Sequence, residues 1–555
     1  MNKTKGKKRV PIILLAIVLA IISTAFFINQ ESRDFKLGKS LDIFFSLVRE
    51  LNTFYVDEFD PEKVIRSAID GMLKILDPYT TYYSESEIKE LDLMTTGKYG
   101  GIGCLVRSNG DYATVTEVYK GFPADLAGIK AGDIILKVDD QLLKGQPIDK
   151  VSEKLKGDPG TIIKVTIERN GMQTEFNMTR ERISLPPVPY YGMIDPKTGY
   201  IRFTNFTQNC NEDVKKALIS IKQNNPEGII LDLRSNPGGI MNEAIEVVNL
   251  FVDGGTEVVS TKGKVKQFDA VYKTKGKAID EKIPLVVMIN KSSASASEIV
   301  AGAIQDLDRG VIVGQRSFGK GLVQITRPLS YNSSLKVTTA KYYIPSGRCI
   351  QAIDFEHRNN DGSVAYIPDS LIKTFKTHNG RPVKDGGGIT PDIEMLPESL
   401  SLLASELYIR NYIFDFATKY YWSHPDIKSI DQFSLTDEDY NEFISFLDNR
   451  GFNYRTFTEN SFSELVENAQ KEKYYDTNKE LFNLLQKEIT HNLNKDLLNF
   501  KNEITEILAD EIIRRYFYEE GAIQWSIKYD EEVKRAVGIL ADKSLYRSIL
   551  RGKPN

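Results

Sequence analysis

The 555-residue chain is longer than one hydrophobic core supports, so three or four domains are expected. Its composition, 41% hydrophobic and 27% charged, is that of ordinary globular protein. A formal net charge of −4 speaks against nucleic acid as a partner, and three scattered cysteines (Cys104, Cys210, Cys349) form neither a disulfide framework nor a metal-ligand spacing.

The N-terminus carries a basic segment, residues 1–9, followed by the uncharged run "VPIILLAIVLAIISTAFFINQ", Val10 to Gln30. That run is long enough to cross a bilayer as a helix, and its basic flank predicts a cytoplasmic start with everything after it outside the cytoplasm. A cleaved signal peptide is the rival reading, but no small-x-small cleavage site follows the apolar stretch. The expectation is a signal-anchor over 10–30, with the rest on the periplasmic or extracellular side.

Residues 33–97 read as a helical segment, with apolar positions recurring at three and four in "LDIFFSLVRELNTFYV" and "VIRSAIDGMLKIL" before Asp77-Pro78 breaks the pattern. From 98 to 182 the texture becomes β-rich and punctuated by glycine. "GGIGCLV", "ATVTEVY", "DIILKVDD" and "TIIKVTIERNG" predict strands, and "PIDKVSEKLKG" predicts one amphipathic helix. Between 183 and 396 strands alternate with helices, from "YIRFTNF" through "GIILDLR" and "PLVVMIN" to "VIVG", which predicts an α/β layer structure. Glycine and proline then become scarce, and 397–555 reads as an all-helical extension, with Ile504, Leu508, Ile512 and Ile513 at helical spacing.

The densest chemical signal is "INKSSASASEIVAGAIQD", where a strand gives way to a helix amid small hydroxyl residues. One serine would serve as a cap. A run of small residues fits a nucleophile that needs donor groups for an oxyanion and room for a carbonyl to approach. The general base is then the question. His357 sits in polar "DFEHRNNDG", and His378, His424 and His491 are no closer in sequence to the serines. Lys320, between glycines in "RSFGKGLVQ", is the alternative. A lysine base must titrate not near about 10.4 but near roughly 7–8, which burial favours. Gln324, four residues on, is uncharged and could orient the amine without fixing it as a cation.

"SASASEI" followed by "FGKGLVQ" resembles the carboxyl-terminal processing peptidases, or tail-specific proteases. "LDLRSNPGG", "TTAKYYIPSGRCIQ" and "GGGITPD" match that family's core in order and spacing. The upstream "GMLKILDPYTTYY" matches too, although the family more often has histidine and serine where Tyr79 and Thr80 stand. The resemblance covers roughly residues 37–395. It implies Ser295 as nucleophile, with Ser293 and Ser297 structural, Lys320 as general base and Gln324 orienting it. It also implies an oxyanion hole from the N–H of Ala296 and of Gly238 or Gly239. The β-rich module resembles a PDZ domain. In that reading Gly101, Ile102, Gly103 and Cys104 form the loop that grips a peptide's terminal carboxylate, Val151 and Leu155 line the pocket for its last side chain, and the peptide adds as a strand.

The expected protein is thus multidomain: a membrane-anchored serine endopeptidase with a Ser-Lys mechanism, an α/β core and a PDZ domain. Its partners are proteins or peptides with exposed C-termini, it needs no metal or organic cofactor, and homo-oligomerisation is left open. Two other classes compete: a catalytically silent PDZ scaffold at the membrane, and an acyl-thioester hydrolase or hydratase on a related α/β core. The intact Ser295, Lys320 and Gln324 weigh against the first, and the fused module against the second.

Overall fold

The computed structural model describes the chain apart from residues 1–32, 89–92, 94, 360, 398 and 553–555. The run expected to be a signal-anchor lies outside the described residues, among which no helix is long and apolar enough to cross a membrane. The chain divides into two units at Tyr82–Tyr83.

In the first unit the helical periodicity yields Arg33–Phe54 and Pro61–Lys74. The second starts where Asp60 accepts from the N–H groups of Glu62 and Lys63, with Pro61 in the first turn, where its missing N–H costs nothing. Asp77 ends the helical run through its side chain: Oδ1 accepts from the N–H of Tyr79 and of Thr80, both at 2.8 Å. Thr80 also donates its hydroxyl to Asp77 at 3.0 Å.

The second unit begins with the β-rich module. Strands Cys104–Asn109, Tyr112–Val118, Ile134–Val138, Ile162–Arg169 and Met172–Thr179 pair antiparallel in that order. Alternate residues such as Val115, Ile135, Ile163, Val165 and Ile167 turn inward against Val151 and Leu155 of helix Ile148–Leu155. The strand Met172–Thr179 is missing from the sequence expectation because it is an exposed edge of mixed polarity, with no apolar run to betray it.

The α/β core is built on six strands ordered Tyr190–Met193, Thr198–Arg202, Gly228–Asp232, Leu285–Ile289, Val311–Gly314 and Ile393–Glu394. The first pair is antiparallel and the rest parallel. Gly228–Asp232, Leu285–Ile289 and Val311–Gly314 are buried throughout, as continuous apolar runs in a sheet covered on both faces must be. Helices Cys210–Lys222, Met241–Asn249 and Ala296–Asp306 contribute to one apolar cluster with Ile201, Ile229, Leu231, Val287 and Ile289. The opposite face, including Tyr200, Ile230, Val286, Met288 and Val313, is covered by the helices Glu531–Ala541 and Lys543–Leu550, through Val533, Ala536, Ile539 and Tyr546. The C-terminal extension is therefore partly a layer of the core. Its remaining helices, including Tyr412–Ser423, Asp437–Asn449 and Lys501–Ser526, enclose an apolar core of their own.

A second antiparallel sheet, only partly anticipated from sequence, joins Ser334–Tyr343 to Leu322–Pro328 on one side and to Glu257–Gly263 on the other. Ala270–Lys273 extends it beyond Glu257–Gly263.

Candidate active site

The parallel register aligns Arg202 with Asp232, Asp232 with Met288, and Ile289 with Gly314. The segments that follow these strands, 233–240, 290–295 and 315–321, therefore leave the sheet at one edge, the carboxyl edge, where α/β sheets place their ligands. These are the "RSNPGG", "KSSAS" and "FGKG" segments.

Ser295 stands at the start of helix Ala296–Asp306 with φ 55° and ψ −111°. A non-glycine residue at such φ, with ψ far from the left-handed helical region, is strained and is held there by its surroundings. Its N–H donates to the Glu298 carboxylate at 2.8 Å, and its carbonyl accepts from the buried Tyr342 hydroxyl at 3.1 Å. The flanking serines face inward. Ser293 donates to the Leu233 carbonyl at 2.8 Å and Ser297 to the Asn236 carbonyl at 2.9 Å, so both hydroxyls tie this segment to the glycine loop. Gly238, at φ +93°, passes so close that an added Cβ would lie 2.8 Å from both the Ala296 nitrogen and the Ser295 Cβ. The Gly238 N–H donates to the Asn236 side chain at 2.9 Å, whereas the Gly239 N–H has no hydrogen-bond partner among the described residues.

Glu298 joins this segment to the lysine. It is fully buried and absent from the expected site residues. Oε1 accepts from the Ser317 hydroxyl at 2.5 Å and the Gly319 N–H at 2.7 Å. Oε2 accepts from the N–H groups of Ser295 at 2.8 Å and Lys320 at 2.9 Å, so those two nitrogens are no farther apart than the sum of these distances. The glycines beside Lys320 permit close approach: an added Cβ at Gly319 would lie 2.4 Å from that of Ala352, and one at Gly321 would lie 2.8 Å from the Gln351 nitrogen. Gln324 lies on Leu322–Pro328 where the register shifts, and its Nε2 donates to Thr338 at 3.1 Å. Beside it is a cavity of about 290 Å³ walled in part by Ile240, Met241, Phe268, Tyr272 and Val323. The serine-x-x-glutamate spacing at a helix start is a capping-box pattern, a signal by which Glu298 could have been found in the sequence.

Burial pushes the Glu298 carboxyl up to about 7, against the pull of its four donors. Its folded value thus lies above its unfolded one, so the stabilisation from proton uptake is complete below about 4.5 and is lost as pH rises through about 7. Glu298→Gln cannot titrate. Between pH 4.5 and 8 the wild-type chain should lose about 3 kcal/mol of stability relative to this variant. A constant difference in denaturant unfolding across that range would show that Glu298 does not titrate there.

The four histidines lie elsewhere. His357 is exposed and pairs with Asp354, His491 pairs with Glu459, and His424 stacks on Tyr420 in the C-terminal domain. The His378 N–H donates to the carbonyl of Asp306, at the far end of the helix from Ser295. At 1.5 Å per residue that is about 16 Å away.

In the β-rich module the carbonyls of Ile102 and Gly103 accept from the N–H groups of Ala124 and Tyr119, at 2.8 and 2.9 Å. Because a trans peptide is planar, the N–H groups of Gly103 and Cys104 face the other way. Gly103 has φ +81°, and an added Cβ would lie 2.5 Å from that of Phe122. Gly101 ends a short pairing of Lys98–Gly101 with Glu181–Ser184. Val151 and Leu155 are both buried in the module's own core, on the helix beside this loop.

Known proteins resemble each of these parts. Residues 197–358 match peptidase family S41, 114–169 match the PDZ domain, and 403–540 match the C-terminal helical domain of a probable PDZ-protease. A carboxy-terminal-processing protease of Bartonella bacilliformis is 38% identical over 352 residues, 61% of this chain and 79% of the relative. A probable CtpA-like serine protease of Staphylococcus epidermidis is 33% identical over 380 residues, 67% of this chain and 76% of the relative. Among solved structures, the photosystem II D1 C-terminal processing protease aligns at 27% identity with a TM-score of 0.35, over 64% of this chain and 93% of that one. With its PDZ domain, S41 peptidase core and C-terminal helical domain, the chain belongs to the carboxy-terminal-processing proteases, serine peptidases of family S41.

Proposed function

We propose that this serine peptidase cleaves its substrates by a Ser-Lys mechanism and selects them by their C-termini. The observation that carries the mechanism is the shared carboxylate: one oxygen of Glu298 accepts from the backbone N–H of both Ser295 and Lys320. Ser295 Oγ attacks the scissile carbonyl and gives its proton to the neutral Lys320 amine. The N–H groups of Ala296 and Gly239 hold the oxyanion, Gly239 being the glycine of the pair whose N–H is uncommitted. Lys320 then passes the proton to the leaving amine and, in the second half, takes one from water. Because the Gln324 Nε2 donates to Thr338, its Oε1 is left to accept from the amine. The cavity beside Gln324, walled in part by Ile240, Met241, Phe268 and Tyr272, would receive a substrate side chain.

Selection falls to the loop Gly101–Cys104, whose outward N–H groups would grip a terminal carboxylate. Hydrogen bonds to a charged group are worth about 1.5–3 kcal/mol, so amidating a substrate's C-terminus should lower kcat/KM by about tenfold or more. Matched free-acid and amide peptides with one internal fluorogenic site measure this. Equal kcat/KM for the pair would remove C-terminal recognition while leaving the peptidase reading intact.

The apolar run 10–30 would anchor the enzyme with its catalytic part outside the cytoplasm. Full-length chain should then stay with the membrane pellet after alkaline extraction, and its recovery in the soluble fraction would overturn the anchor.

A further inference from the structure

Arg234 stands between the strand Gly228–Asp232 and the glycine loop, and its guanidinium is held by three carboxylates. Asp232 accepts from Nη2 at 2.6 Å and from Nε at 3.0 Å. Asp530 pairs with Nη2 at 2.7 Å, and Glu532 accepts from Nη1 at 2.8 Å. The last two come from the start of helix Glu531–Ala541, far along the chain, where Asp530 also caps the helix by accepting from the Val533 N–H. Glu532 reaches Gln315 as well, at 3.4 Å, so it touches the residues that follow two different core strands. Burial alone would raise the Asp232 carboxyl, but Arg202 and Arg234 hold it well below the usual range, and it also accepts from the Tyr200 hydroxyl at 2.6 Å.

The next residue, Ser235, has φ 58° and is pinned by Asn290, which accepts from its N–H at 2.8 Å and donates to its hydroxyl at 3.0 Å. A serine at such φ keeps its conformation only while its surroundings impose it. Behind the loop lies a cavity of about 370 Å³, bordered by Arg202, Arg234, Ser235, Ile523, Ser526 and Ile527. On that side the loop is braced by ion pairs and hydrogen bonds, not by packed atoms. Asn236 follows, and its side chain and carbonyl engage Gly238, Ala294 and Ser297, so movement at Arg234 would pass directly to the loop beside Ser295.

We propose that Glu532, acting through Arg234, is a positioning residue of the peptidase reaction: the C-terminal helical domain clamps the loop that supplies an oxyanion donor. This rests on the Ser295 mechanism proposed above. Glu532→Gln in the full chain should lower kcat about tenfold to a hundredfold, a partial version of losing one oxyanion donor. KM should stay within about twofold, because ground-state binding is untouched. Affinity for a peptide aldehyde, whose adduct with serine carries the same oxyanion, should fall in parallel. Once Arg234→Gln is present, adding Glu532→Gln should do little more. Lys534→Gln, on the same helix in an exposed pair with Glu531, should match the wild type.

Amide hydrogen exchange provides a reading that needs no activity: protection over 234–240 should drop in Glu532→Gln while that of Ala296–Asp306 is retained. Unchanged exchange in the loop, a kcat equal to wild type, or a loss of activity matching only the unfolded fraction would each overturn the clamp. If Ser295→Ala left peptidase activity intact, the mechanism would fail and exchange alone would judge the clamp. If Ser295 proved essential and Glu532→Gln kept full kcat, only the clamp would fall.

Discussion

Ser295→Ala is expected to lower peptide hydrolysis by about 10⁴-fold or more, the scale seen when a serine peptidase loses a member of its catalytic machinery. The neighbouring serines make this a sharp test, because all three are small, close together and equally plausible by composition. Ser293 and Ser297 are fully buried, and each donates to a main-chain carbonyl of the glycine-loop segment. Ser293 also accepts from the Asn290 N–H at 2.9 Å. Alanine at either position should therefore cost stability, about 1–3 kcal/mol for the buried groups left unpaired, and only part of the activity. Steady-state hydrolysis with unfolding midpoints for the three variants separates these effects. Equal loss of activity in all three with folding intact would mean that the wrong hydroxyl, or the wrong chemistry, has been assigned to this edge of the sheet.

The second large effect is expected at Lys320. Arginine keeps the positive charge but cannot give up a proton at accessible pH, so Lys320→Arg should be inactive although its charge and much of its bulk survive. In the wild type, kcat/KM should rise with pH through an ionisation well below the free lysine value of about 10.4. Replacing all four histidines should leave activity largely in place, since none of them has a hydrogen bond to Ser295 among the described residues. Substantial turnover by Lys320→Arg would eliminate the lysine as base. Loss of activity on removing the histidines, with folding intact, would point to a histidine as the base.

The serine cluster and the lysine between glycines were legible as local patterns, whereas the choice of Ser295 within the cluster came only from the family resemblance. The order of strands and helices in the core was legible for a similar reason: a sheet buried on both faces writes continuous apolar runs. Glu298 had a readable signature three residues after Ser295, but its role lies in what its oxygens reach, Ser317, Gly319 and Lys320, and those depend on two loops meeting. In the proposed mechanism the choice between Gly238 and Gly239 could not be read from "NPGG", because it turns on which N–H the Asn236 side chain already occupies. Arg234 and Glu532 are still further from sequence reading. Nothing local marks two ordinary charged residues as partners when they come from opposite halves of the chain. The C-terminal helices could be recognised as helices, yet their pattern does not say that Val533, Ala536 and Ile539 face the core sheet.

That last contact bears on how the protein is made. The strands Thr198–Arg202 to Val311–Gly314 leave the ribosome with an apolar face that is not covered until residues near 550 have emerged. At about 5–20 residues per second, the delay is on the order of 10 to 50 s. During that interval Ile230, Val286, Met288 and Val313 present an uncovered sheet surface, which is prone to association. Arg234 likewise lacks Asp530 and Glu532 until then. A nascent chain would thus carry Ser295 and Lys320 well before Glu532, the residue that the proposed clamp sets behind the neighbouring loop. On the proposed clamp, a chain extended past Lys320 but not yet to Glu532 would cut no faster than Glu532→Gln.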